Sequence, residues 1–232
     1  MVRLGQVLQM LLLAIDTSGR LGGIALARGH EGGSCDVIEV VPLAGGTFAA
    51  QLVPQVAALL SKHGFTKHDI DAFAAASGPG SFTGLRVGLA VIKALAEILG
   101  KPIAAVSLLE VLALAGGAKG KVCAALDAGR GEVYSGEYEV AGDSAQVLRE
   151  KLLTKEEFVA RAGGWKIVTP DAALVRTAES AGLSAVLVEP LSAGAVARLG
   201  WRKILQGQAV SPEQLEANYI RRSDAEIFGA KG

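Results

Sequence analysis

Two Asp-centred turns, one glycine-rich loop and three scattered histidines are the parts of this chain that could do chemistry. Asp16, Thr17 and Ser18 follow the apolar run 11–15, and Asp127 follows the apolar run 122–126. Each Asp is succeeded by small residues and a Gly-Arg pair, Gly19-Arg20 in the first copy and Gly129-Arg130 in the second. Two carboxylates on matching turns could hold a metal–nucleotide complex between them, or each could cap its own turn. Gly78, Pro79, Gly80, Ser81, Phe82, Thr83 and Gly84 lie between a strand-length apolar run and a helical stripe. Free amides and a helix dipole could hold an anion there. No Lys-Ser/Thr pair follows the last glycine, so the segment is not a P-loop, and its spacing is not a dinucleotide fingerprint. The alternative is a tight strand-to-helix turn that needs glycine for positive φ and close packing.

Other catalytic constellations are thin. His30, His63 and His68 form no HxxxH or HExxH pair, no GxSxG elbow is present, and Cys35 and Cys123 lack CxxC spacing. No metal site is expected, and two reduced, mostly buried thiols fit a cytoplasmic protein.

The elements that would position these residues repeat. The two Asp residues stand almost half of the 232-residue chain apart, and a candidate strand resumes after each turn, at 23–27 and 132–138. A duplicated α/β unit accounts for this better than one continuous sheet, and it implies two similar lobes with a cleft between them. The spacing predicts helices over 47–62, 85–99, from 107, from 154, over 172–181 and over 192–205, with strands at 70–76, 103–106, 166–169 and 185–188. Ser107 with Glu110, and Thr154 with Glu157, read as capping boxes. Strands apolar on both faces, with helices between them, indicate mixed sheets flanked by helices. The boundaries read as an N-terminal lobe over 1–106 and a C-terminal lobe over 107–211, with 212–232 packing back on the first. Residues 1–9 read as an extension ahead of the first strand.

Composition allows this. Half of the residues are apolar and 5% are aromatic, so the core is aliphatic. Lys plus Arg equals Asp plus Glu at 23 each, which gives no overall attraction to nucleic acid or anionic membrane. The run 7–15 is broken by Gln9 and by Asp16, too short for a membrane span and without a cleavage site.

Between residues 85 and 99 the polar side chains are Arg86, Lys93 and Glu97 alone. A helix with so narrow a polar stripe is covered on most of its circumference, by another helix of the chain or by a second subunit. The expected contact comprises Phe48, Leu52, Val56 and Leu59 from the helix over 47–62, with Leu85, Gly88, Leu89 and Ile92 from this one.

Five motifs, taken together, resemble the TsaB (YeaZ) family along nearly the whole chain. They are Ala14-Ile15-Asp16-Thr17-Ser18, the block from Ser77 to Gly88 with its GPGSFTGLR core (Arg86 included), Ser107-Leu108-Leu109-Glu110, the segment from Asp127 to Tyr134, and Tyr219-Ile220-Arg221. The resemblance implies a two-lobed, duplicated actin-like fold of the sugar-kinase and heat-shock-ATPase class. It implies a noncatalytic scaffold subunit that pairs with the catalytic paralogue TsaD, joined by the ATPase TsaE, to modify the adenosine beside the anticodon of tRNA with threonylcarbamoyl. ATP or ADP and metal are then expected on the partner subunits, tRNA contact through the complex, and a homodimer when the chain is alone. In the paralogue a histidine pair holds metal; the matching stretch 46–54 here has no histidine, and Phe48 stands where relatives often keep one. Asp16, Thr17, Ser18 and Asp127 would be a vestigial nucleotide cleft. The competing reading is a small actin-like phosphotransferase using Asp16, Thr17 and Asp127 around a magnesium nucleotide.

Overall fold

In the computed structural model, residues 9–44 and 46–220 are described. The chain forms two compact units. The first comprises the described residues up to Val106 together with Ser192–Ala217, and the second runs over Ser107–Leu191 and continues from Asn218.

The first unit is built on a five-stranded sheet. Strands β1 (Gln9–Asp16), β2 (Leu21–His30), β3 (Cys35–Ala44), β4 (Ala72–Gly78) and β5 (Ile103–Ser107) lie in the order β3-β2-β1-β4-β5. β1 runs antiparallel to β2 and parallel to β4. Being central and covered on both sides, it is apolar on both faces, as a buried strand must be. Leu11, Leu13 and Ile15 join Phe73 and Ala75 of β4 in a core shared with α1 (Phe48–Lys62) and α2 (Phe82–Leu99). The opposite face carries small residues, and one later helix of the chain settles closely on it. That is α6 (Ala193–Leu205), whose Gly200 meets Ala74 and whose Trp201 covers Gly29 while its indole donates to the His30 carbonyl at 3.0 Å.

The second unit repeats the plan. Strands β6 (Gly120–Gly129), β7 (Glu132–Ala141), β8 (Ser144–Thr154), β9 (Lys166–Thr169) and β10 (Ala185–Leu187) take the order β10-β9-β6-β7-β8. Helices α4 (Lys155–Arg161) and α5 (Ala172–Ser180) share a core with Cys123, Ala125, Val133 and Ile167. Helix α3 (Leu108–Ala115) packs through Leu109 and Leu112 against Val122, Ala124 and Tyr138.

Each half thus sends its last helix to the other half's sheet. α3 follows β5 of the first unit but packs on β6 to β9, and α6 follows β10 but packs on β1 to β4. This corrects the boundary expected at 211: residues 192–211 belong with the first unit, because the Trp201 side chain has its seat at Gly29. The segment 212–217 also packs there, with Leu215 fully buried, whereas Asn218 joins the second unit. Residues 1–8 and 221–232, and so Arg221 of the last motif, lie outside the described residues.

Among the elements, α2 starts three residues earlier than its stripe suggests. Ser81 is its N-cap, accepting from the Gly84 amide at 3.2 Å, so Phe82, Thr83 and Gly84 are its first turn rather than loop. Thr154 makes the expected capping box with Glu157, but Ser107 makes no side-chain cap on α3. Among the described residues no helix is long and apolar enough to cross a membrane.

Candidate functional site

The first Asp turn is closed upon itself. Asp16 is buried at the end of β1, and its Oδ1 accepts from the Ser18 amide at 2.9 Å and the Ser18 hydroxyl at 2.6 Å. Burial pushes the Asp16 carboxyl above its ordinary value, against the opposing pull of the two Ser18 hydrogen bonds. Thr17 donates its hydroxyl to the Gly84 carbonyl at 2.7 Å, and the Ser81 amide donates to the Ser18 carbonyl at 2.6 Å.

The glycine-rich loop is what locks this turn. A Cβ at Gly80 would stand 2.5 Å from the Ser18 carbonyl oxygen, and one at Gly84 or Gly88 would collide with Thr17. Glycine at these places therefore serves close approach of two backbones. Two amides that an anion would need, those of Ser81 and Gly84, already have partners inside the chain. Gly78 ends β4 and precedes Pro79 across a cis peptide bond. Arg86 stacks on the ring of Phe82, its guanidinium carbon 3.7 Å from the centroid.

The second Asp turn is open. Asp127 is exposed, and the hairpin passes through Gly129, Arg130 and Gly131, all at positive φ. Among the described residues no group of three or more His, Cys, Asp or Glu side chains could hold a metal ion. His63 meets the Glu39 carboxylate at 2.7 Å and His30 meets Asp36 at 3.0 Å, as surface pairs. Burial pushes the Cys123 thiol up to about 11.

The eight residues expected at a subunit contact face inward. Phe48, Leu52, Val56 and Leu59 of α1, and Leu85, Gly88, Leu89 and Ile92 of α2, are all buried, Leu52 at 0% exposure and Leu89 at 6%. This corrects the expectation. Large apolar side chains at helical spacing seek the sheet, and they form the stripe that holds each helix on its own unit. The outward face has a different composition. On α1 it carries Ala49, Ala50, Val53, Pro54, Gln55, Ala57 and Ala58, with no charge anywhere from Phe48 to Ser61. On α2 it carries Ala90, Ala94 and Ile98 beside half-buried Val87 and Val91, with Arg86 and Glu97 also exposed on that helix. Val53 is 58% exposed and Ile98 70%. α1 and α2 pack side by side, and an apolar groove of about 270 Å³ runs between them, lined by Val53, Ala57, Val91 and Leu95 and closed by Phe65. No sequence period marks this face, because its side chains are small; what could have revealed it is the absence of charge on α1.

Comparison with known proteins adds the lineage. The family model described as "TsaD: tRNA N6-adenosine threonylcarbamoyltransferase" matches residues 40–177, more than half of the chain. The tRNA threonylcarbamoyladenosine biosynthesis protein TsaB of Escherichia coli is 31% identical over 168 residues, covering 68% of this chain and 71% of that protein. The chain belongs to the TsaB family. The Bacillus subtilis TsaB is 38% identical over 131 residues, 56% of each chain, so the match spans little more than half of that relative. The solved structure of YeaZ from Pseudomonas aeruginosa superposes with a TM-score of 0.72 at 29% identity, covering 90% of this chain and 99% of that one. The fold is the duplicated, actin-like α/β fold with two mixed sheets flanked by helices.

Proposed function

We propose that this chain is a noncatalytic subunit of the apparatus that builds threonylcarbamoyladenosine on tRNA, and that it pairs with a TsaD-like catalytic paralogue through the outward faces of α1 and α2. The observation that carries the pairing is the uncharged outer face of α1, continuous with the apolar groove beside α2. Solvated helices of a monomer carry charge there. In the absence of the paralogue, two copies use the same faces and form a homodimer. A TsaE-like ATPase joins the assembly, nucleotide and metal reside on the partner subunits, tRNA is met through the complex, and the whole works in the cytoplasm. The TsaB relatives and the TsaD family model support this reading.

The phosphotransferase reading asks Asp16 and Thr17 to face a magnesium nucleotide. Asp16 is engaged by Ser18 and Thr17 by Gly84, so the geometry of the first turn does not favour it.

The test is placed on exposed alanines. Ala57→Arg and Ala90→Arg put a charge on the outward face without touching the core, and they should abolish both the homodimer and the complex with the paralogue. Light scattering and co-elution read the outcome, with circular dichroism unchanged. A wild-type monomer at micromolar concentration, or an Arg variant that still pairs, overturns the proposal. The isolated chain should transfer no threonylcarbamoyl and hold no stoichiometric zinc or iron. Metal analysis showing one retained ion per chain contradicts the second statement, and turnover by the chain alone contradicts the first.

A further inference from the structure

The apolar groove between α1 and α2 carries a charge at its rim. Beside its aliphatic walls the lining includes Thr66 and Lys67, which follow Phe65 in the chain. The short turn that bears Lys67 is held in place locally, since the Asp69 carboxylate accepts from the Thr66 amide at 2.7 Å and from the Thr66 hydroxyl at 2.8 Å. Asp69 is thereby engaged by Thr66, and Lys67, which is exposed, makes no ion pair among the described residues.

The complement of that groove stands on the same unit. Ile98 of α2 is 70% exposed, and it follows Glu97, which is also exposed and makes no ion pair among the described residues. An isoleucine in water beside an unpaired carboxylate, and an apolar groove beside an unpaired ammonium, are the two halves of one contact. Ile98 does not line its own groove, although Val91 and Leu95 of the same helix do. A two-fold arrangement satisfies both halves at once, each copy giving its Ile98 and receiving the other's. Exposed Ala90 and Ala94 stand four residues apart on one stripe with Ile98, and Ala94 is its midpoint. When two copies of α2 cross antiparallel at Ala94, the partner's Ile98 comes opposite Ala90 and beside Val91, at the groove wall. The small side chains at 90 and 94 let the two helices approach closely.

We propose that a second copy of this chain seats its Ile98 in the groove between α1 and α2 and pairs its Glu97 with Lys67, two such contacts forming about one two-fold axis at Ala94. This register rests on the pairing of outward faces described above and fixes which side chain anchors it and which charges align it. The ion pair lies at the rim, where it sets register more than strength, and the aliphatic anchor supplies the hold.

Sedimentation equilibrium of the full chain reads the dimer dissociation constant. Positions 67, 97 and 98 are all exposed, so substitutions there leave the fold intact, which circular dichroism checks. Ile98→Ala should raise the constant roughly a hundredfold, because each dimer loses two anchors. Lys67→Glu and Glu97→Lys should each raise it roughly tenfold by setting like charges against each other at both rims. The chain carrying both substitutions should return to within about threefold of wild type, because the pair is then reversed rather than broken. A wild-type chain that stays monomeric overturns this contact together with the homodimer on which it rests. A dimer that Ala57→Arg abolishes but Ile98→Ala leaves at wild-type strength overturns the anchor alone, and so does a double charge variant that shows no recovery over the single ones.

Discussion

Strand order β3-β2-β1-β4-β5 in the first unit recurs as β8-β7-β6-β9-β10 in the second. Helices α1 and α2 stand to the first sheet as α4 and α5 stand to the second. The contrast lies between α1 and α4, since α2, like α5, exposes charge, at Arg86 and Glu97. α4 exposes Glu156, Glu157 and Arg161 within its seven residues, and α5 exposes Arg176 and Glu179. α1 passes Ser61 before any charge occurs, and up to there its exposed side chains are alanines, Val53, Pro54 and the neutral Gln55. Duplication supplies the control: the same position in the same architecture tolerates charge, so the fold does not require its absence on α1. Chemistry has diverged as well. The first Asp turn is buried and locked by glycines, whereas the second is exposed and carries its glycines for positive φ.

The sharpest way to break this comparison is to charge the two faces of α1 in turn. Leu52→Arg places an unpaired cation at a fully buried position, at a cost of about 4 kcal/mol, comparable with the whole stability of a small domain. The first unit should fail to fold, while Ala57→Arg leaves it intact and removes only association. Leu89→Arg belongs with Leu52→Arg. A soluble Leu52→Arg protein with wild-type circular dichroism would mean that α1 turns its large side chains outward.

The second contrast lies between the glycines of the two Asp turns. Gly84→Ala drives a Cβ into the Thr17 carbonyl, a backbone atom that cannot swing aside, and should cost about 2 kcal/mol. Gly131→Ala meets open space and suffers only from its φ of 81°, at about 1 kcal/mol. Denaturant midpoints rank the two, and the reverse order would deny the glycine-rich loop its role as a lock.

Much of this architecture is legible from sequence, and the omissions share a cause. Apolar runs at strand length located the central strands, and the helical stripes located α1, α2, α5 and α6, because these elements bury large side chains at fixed periods. Strands β3 and β8 went unread. Both are edge strands, half solvated, and β8 mixes exposed Val147 and Leu148 with Arg149, Glu150 and Lys151. The residues expected at a subunit contact are instead those that pack inward, for a related reason. Periodicity reports the face that packs on the sheet, and a second apolar face made of alanine adds no period of its own. Ser107 misled differently, since a capping-box spacing cannot reveal that the hydroxyl has a better acceptor on a strand not yet recognised.

Acid titration sharpens the comparison of the two Asp turns. Burial raises the Asp16 carboxyl above 3.8, so the folded state holds a proton more firmly there than the unfolded chain does. The group's favourable contribution is complete below 3.8 and is lost as pH rises through the raised value. Asp16→Asn keeps an acceptor for Ser18 but cannot ionise. Its stability relative to wild type should therefore improve between about pH 4 and pH 7, as urea unfolding at the two pH values would read. A difference that stays constant, or that moves the other way, would place the Asp16 carboxyl at or below its ordinary value.

The smallest effect is expected where the duplicated Asp has been released. Asp16→Ala leaves the buried Ser18 amide and hydroxyl without their acceptor and should cost about 2 kcal/mol. Asp127→Ala removes an exposed carboxylate from a hairpin whose shape is set by Gly129 and Gly131, and should stay within about 0.5 kcal/mol of wild type. The two substitutions are identical in chemistry and equivalent in position after the first strand of each unit, so their ratio isolates what burial adds. Equal costs near 2 kcal/mol would mean that Asp127 has structural partners as demanding as Ser18. Threonylcarbamoyl transfer by the complex with the paralogue should be unchanged by Asp127→Ala, and a loss of turnover without a loss of stability would return this carboxylate to a working nucleotide site.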